Sequence, residues 1–235
     1  MPVLVRLVVK FATRLLCLCA PLALHSQTPA TSESYDRILG VIPNYQTVSD
    51  PTQTYVSLRV VDKWKLFVRE TVDPYTFVSA AGGAALSQID NDDPRYGYGV
   101  KSYLQRFGAA QADITTQNFF SDAVLASLFH EDPRYFRKGP SSSVPRRIAY
   151  AMSRIVITRR DSGRDSFNFS GITGMGMGIA LSDAYYPRQS VGGGEIESRV
   201  VTSLAASALG NLLPEFWPDV KEKWAHRKRG ILTRL

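Results

Sequence analysis

His130, Glu131 and Asp132 stand side by side with Asp122 eight residues earlier, the one compact group of acid/base side chains in the sequence. Such a group suits hydrolysis, with His130 moving the proton and Asp122, Glu131 or Asp132 orienting it. Nucleophilic chemistry would add a serine activated by a base, and no Gly-x-Ser-x-Gly elbow accompanies the group. A histidine at a helix end has a plainer use, as a cap favoured by the helix dipole. A hydrolase centred on His130 is therefore an alternative reading, and a non-enzymatic role is expected.

Metal and cofactor chemistry has less to stand on. Zinc wants three or four His, Cys or carboxylate ligands, and both cysteines, Cys17 and Cys19, fall in a segment expected to be removed. Asp90-Asn91-Asp92-Asp93 looks like the start of a calcium loop, but the sixth position is not glycine and Lys101 stands where the bidentate Glu belongs. The glycines around 171–178 and 192–194 lack the Lys-Ser/Thr of a phosphate loop. No metal and no cofactor is expected.

Helices must position these residues. Val61, Trp64, Val68 and Val72 recur at steps of three, four and four, and Asp73-Pro74 suits the cap and first turn of a second helix running through Phe77 to Ile89. A third stretch covers about 100–130, with a break near Asp113. A fourth starts near Pro145 and sets Ile148, Met152 and Ile155 on one face. A fifth spans about 169–184, a sixth 196–213, and a last one follows Pro218. Strand alternation is nearly absent. The expected fold is mainly α, a bundle of about six helices with an irregular lead-in over 27–58.

Small residues align four apart on these helices, the spacing that puts them on one face. The strips are Ser79/Gly83/Ser87, Gly108/Ala112/Thr116, Ser170/Gly174/Gly178/Ser182 and Thr202/Ala206/Gly210. Glycine inside a helix costs about 1 kcal/mol relative to Ala, so Gly83, Gly108, Gly174, Gly178 and Gly210 are read as positions of close helix packing. The uncharged runs 74–89, 166–182 and 200–214 are at or below the roughly 17–25 residues that span a bilayer. A soluble or peripheral bundle is expected, with a membrane-embedded bundle as the alternative.

Asn91-Asp92-Asp93-Pro94-Arg95-Tyr96 recurs 39 positions later as His130-Glu131-Asp132-Pro133-Arg134-Tyr135, with a weaker third version from Asp183 to Arg188. Asp-Pro stops a helix, and Arg95 and Arg134 are expected to pair with carboxylates such as Asp92 or Glu131. At Asp132-Pro133-Arg134-Tyr135-Phe136-Arg137 the chain resembles a family of uncharacterised exported bacterial proteins carrying that element. The resemblance extends over much of the chain, including Phe216-Trp217-Pro218-Asp219. It implies an envelope role and brings no known activity.

The first 26 residues read as an export signal: Arg6, Lys10 and Arg14 precede the uncharged run 15–24, and His25-Ser26-Gln27 offers a processing site. Its removal lowers the net charge from +7 to +4. Residues 134–164 carry nine cations, Arg146, Arg147, Arg154, Arg159 and Arg160 among them, against Asp161 alone. At the C-terminus Trp217 and Trp224 keep helical spacing among Lys221, Lys223, Arg227 and Lys228, the composition of a helix lying on anionic lipid. The expected organisation is a signal over 1–26, the lead-in over 27–58, a helical domain over 59–213 and a basic amphipathic helix over 214–235. The expected partner is an anionic lipid surface or an envelope protein, with nucleic acid disfavoured by the compartment.

Overall fold

Asp73-Pro74 is where the helical part of the chain first turns. Proline cannot continue the helix before it and suits the first turn of the next, so α1 (Val60–Val72) stops at Asp73 and α2 (Pro74–Asp90) starts there. The Asp73 carboxylate accepts from the Tyr75 amide at 2.8 Å and from both Arg37 Nη atoms at 3.1 and 2.8 Å. In this computed structural model residues 37–92 and 94–232 are described. The expected signal, the first ten residues of the lead-in, and the side chains of Arg227 and Lys228 lie outside them.

α2 leaves through Asn91, and α3 (Val100–Asn118) returns along it. There is no break near Asp113. The helix instead widens into a π-helical turn, Phe119–Leu125, and ends with one α turn at Ala126–Leu128. α4 (Val144–Ser153), α5 (Phe169–Ser182), α6 (Gly193–Gly210) and α7 (Leu212–Leu232) complete the helical part. α7 follows α6 after Asn211 alone, so Pro218 sits inside it rather than before it. The fold is mainly helical, as the patterning predicts.

Short strands join the ends of these helices. β1 (Arg37–Ile38) and β2 (Ile42–Pro43) form a hairpin across Leu39, Gly40 and Val41, the first two at positive φ (53° and 75°), the central backbone of a tight turn closed by the Val41 amide on the Ile38 carbonyl. β3 (Thr47–Val48) pairs in parallel with β5 (Tyr135–Phe136) and ties the lead-in to the body. β4 (Glu131–Asp132), β6 (Ile157–Arg160) and β7 (Asp165–Phe167) form a small antiparallel sheet in that order.

The tightest seam lies between α5 and the end of α3. A Cβ on Gly174 would come within 2.6 Å of the Ser121 amide nitrogen, and one on Gly178 within 3.3 Å of the Gln117 Cα. At Gly83, Gly108 and Gly210 a Cβ would meet nothing within 4 Å. Close approach therefore occurs at Gly174 and Gly178 and not at those three, which face outward.

What fills the interior is unusual for a helical protein. The largest fully buried side chains are Arg106, Lys63, Glu131, Glu215 and Asp132. Lys63 Nζ bonds Asp161 at 2.8 and 2.9 Å and the Ala126 carbonyl at 3.1 Å. Arg106 donates to Asn91 Oδ1 and the Gly97 carbonyl, both at 2.6 Å, and to Gln88 and Ser87. The apolar stripes go the other way. α1 buries Lys63 and Glu70 while Val61, Val68 and Val72 are exposed; α4 buries Arg147 and Ala151 while Ile148 and Met152 are exposed, and Ile155 lies beyond the helix. Both helices are amphipathic as the spacing predicts, but these apolar residues face out, while Lys63 and Arg147 find charged partners inside.

Candidate functional site

The acid/base group around His130 is dispersed by the fold. His130 has φ 55° and follows the last helical turn; its side chain is 78 % exposed, with Nδ1 3.8 Å from Asp161. Asn91, its counterpart in the repeat, has φ 50°. Both copies thus leave a helix through a left-handed residue, a conformation in which Asn and His are enriched. Asp183 in the third version shows no such turn and pairs with Arg199 at 2.7 Å.

The acids beside His130 are used elsewhere. Glu131 is fully buried and accepts from the Ser170 and Phe169 amides at 2.8 and 3.3 Å, capping α5. It is therefore not the partner of Arg134. Asp132 takes that part, accepting from Arg134 Nε and Nη2 at 3.0 and 2.7 Å, from its amide at 3.0 Å and from Tyr55 at 3.1 Å. Asp122 sits on the π turn. The hydrolase reading has no assembled site at His130.

Most of the 134–164 cations also turn inward. Arg147 is buried, with Nε 2.7 Å from Glu215 and Nη1 2.6 Å from Asp219, its guanidinium lying over Phe216. Arg137 bonds Asp219 and the Glu215 carbonyl. Glu215 further accepts from Tyr135 at 2.8 Å and from the Lys138 and Gly139 amides at 2.9 and 3.1 Å. The 132–137 and 216–219 stretches, far apart in sequence, are thus clamped together. Arg154 pairs with Asp165 at 3.0 and 2.7 Å, and Arg159 lies over the Phe136 ring. Of the five arginines read as lipid contacts, Arg146 and Arg160 are exposed and Arg147, Arg154 and Arg159 are not. Their acids come from other segments, so a charge count within 134–164 overstates the basic surface.

A cavity of about 110 Å³ opens between the π turn, β6 and the start of α5. Arg134, Arg154 and Arg159 line it together with Thr158, Asn168 and Asp122. The Nε groups of Arg154 and Arg159 are buried with no hydrogen-bond partner among the described residues. Burial pushes the Asp122 carboxyl up to about 6, partly offset by the bond it takes from Ser121 and by the neighbouring Glu70. Glu70, on α1, has no donor for either buried oxygen; burial and the neighbouring Asp122 push it up to about 10. Glu70 therefore holds a proton at neutral pH that an isolated acid would release, and Asp122 takes one up in mildly acidic solution. Glu70, Glu215 and Asp219 escaped the sequence reading. The i, i+4 spacing of Glu215 and Asp219 opposite a cation-rich stretch was the available signal for the latter pair.

Among the described residues no group of three or more His, Cys, Asp or Glu side chains is placed to hold a metal ion. The outward surface is the other distinctive feature. α2 carries no charge from Pro74 to Ile89, buries Thr76, Ala80 and Ala84, and leaves Val78, Leu86 and Ile89 61, 70 and 69 % exposed. In α7 Trp224 is exposed beside Lys221 and Lys223, while Trp217 is half-buried, edge-on to Trp224. No protein family, curated protein or solved structure matches the chain.

Proposed function

We propose that the protein is a non-enzymatic envelope component, exported on its N-terminal segment, that rests on an anionic membrane surface through its outward apolar helix faces and its C-terminal helix. The observation that carries this reading is the inversion of α1, α2 and α4, which bury polar or small residues and turn Val, Leu, Ile and Phe outward. A monomer in water rarely leaves uncharged apolar stripes of this kind uncovered. Lipid is the occupant that also suits the exposed Lys221 and Lys223 beside Trp224, since anionic headgroups attract cations while the indole enters the interface. No described helix is long and apolar enough to cross a membrane. α2, 17 residues long, reaches roughly 25 Å at 1.5 Å per residue against a hydrocarbon core of about 30 Å, which favours surface contact over the embedded bundle.

Flotation of the mature protein with phosphatidylglycerol/phosphatidylcholine vesicles and with pure phosphatidylcholine tests this reading. Binding is expected to the anionic vesicles, to weaken with salt, and to drop further in Leu86→Asp and Ile89→Asp variants of unchanged circular dichroism. Equal recovery with both vesicles, recovery with neither, or a soluble dimer that both variants dissociate would overturn it. N-terminal sequencing of envelope material should begin near Gln27; material still starting at Met1 would remove the cleaved signal.

A further inference from the structure

We propose that the cavity between the π turn, β6 and the start of α5 binds a small oxyanion, a phosphate or sulfate group that is either free or the head of a lipid.

The donors left over inside the protein carry this inference. Arg154 spends Nη1 and Nη2 on Asp165, yet its side chain is only 9 % exposed and its Nε has no partner. The Arg159 guanidinium donates no hydrogen bond to a described residue; its nearest acid is the same Asp165, at 3.7 Å from Nε. One carboxylate therefore serves two guanidiniums, and the pair keeps one positive charge in excess. A buried donor without an acceptor costs about 1–3 kcal/mol, more when it is charged. Two guanidiniums among the lining of one cavity, sharing a single acid and with Arg159 in no side-chain hydrogen bond, call for a guest that offers only acceptor oxygens. Guanidinium forks match phosphate and carboxylate geometry, and the Phe136 and Tyr150 rings beneath Arg159 and Arg154 hold the forks in place.

The helix start nearby is not the source of this site. The Ser170 and Gly171 amides are already taken by Glu131 and Asn168. Asp122, the acid in the lining, would repel an anion when ionised; with its carboxyl pushed up to about 6 it can donate to the guest in mildly acidic solution. The other charged group in the lining, Arg134, is already bonded to Asp132.

Titration calorimetry at pH 5.5 with inorganic phosphate, and flotation with vesicles containing phosphatidic acid, separate the two sources of the group. Saturable phosphate binding is expected, weakened about tenfold or more by Arg159→Gln and unchanged by Arg160→Gln, since Arg160 is the exposed neighbour on β6. No phosphate binding, with a gain in recovery on phosphatidic acid over phosphatidylglycerol vesicles of equal charge that is lost in Arg159→Gln but kept in Arg160→Gln, would assign the group to a lipid head. Should Arg159→Gln not fold, the Nε–H resonances of Arg154 and Arg159 in the wild-type protein should shift on adding phosphate or short-chain phosphatidic acid. No saturable binding to either probe, equal loss in both variants, or unmoved Nε–H resonances would overturn the site.

Discussion

Two acids, Glu70 and Asp122, meet in the interior with no cation paired to either among the described residues. Burial raises both carboxyls, so the folded state holds their protons more firmly than the unfolded chain, where acids titrate near 4. The stability linked to those protons is complete below about pH 4 and is lost as pH rises, through about 6 for Asp122 and about 10 for Glu70. Glu70→Gln keeps the shape and removes the titration. Its stability relative to wild type should therefore grow between pH 5 and pH 9 in urea denaturation, and parallel curves would show that the pair carries no linked proton. The repeat makes a second contrast at this scale. Arg134→Ala leaves buried Asp132 without its main partner and should lower stability by about 3 kcal/mol or more, whereas His130→Ala, at an exposed position, should change it by roughly 0.5 kcal/mol or less. An envelope phenotype from His130→Ala in a protein of unchanged stability would restore the hydrolase. The Asp-Pro stops and the helix end before His130 were legible because they depend on neighbours in sequence. Glu70 was not, since its partner lies on another helix.

At the scale of elements, the sequence predicted most of the helices from period, proline and cap signals, and it missed what period does not record. The π turn adds a residue without Gly or Pro to announce it, and it sets the Ser121 backbone against Gly174. The small-residue strips were visible as strips, but whether a strip meets a neighbour is decided by tertiary packing. The two kinds of glycine should respond oppositely to the same change. Gly174→Ala forces a methyl into the Ser121 backbone and should cost about 1–3 kcal/mol; Gly83→Ala, with open space around it, should gain about 0.5–1 kcal/mol from helix propensity. Thermal melts of the two variants check this, and a shift of the same sign for both would mean that the α3–α5 seam is not as close as described. The two- to four-residue strands were below the reach of an alternation pattern.

For the whole molecule, amphipathic patterning told which helices have two unlike sides and could not tell which side faces in. That choice is made by the acids at 161, 165, 215 and 219, which draw Lys63, Arg137, Arg147 and Arg154 inward, and by Glu70, which meets Asp122. It leaves the apolar sides of α1, α2 and α4 to whatever lies outside. Salt should therefore separate two parts of the proposed membrane attachment. The cations of α7 contribute about 1 kcal/mol each near an anionic surface and are screened, while burial of Leu86 and Ile89 is not. Vesicle binding that vanishes completely in high salt would place the contact on α7 alone.

The clamp between 132–139 and the start of α7 has a consequence for the order in which the chain can fold. Arg147 leaves the ribosome 68 residues before the Glu215 carboxylate that neutralises it, and Tyr135 80 residues before the same group. Until that acid arrives, burying Arg147 would strand a charge and burying Tyr135 would leave its hydroxyl unpaired, so α4 and the β3–β5 pair have reason to stay solvated. Such a delay keeps the segment from Tyr135 to Arg147 loose until Glu215 is made, a state that would suit the export proposed above. Folding then completes late and at one step, when a single glutamate supplies the acceptors that two distant segments have been waiting for.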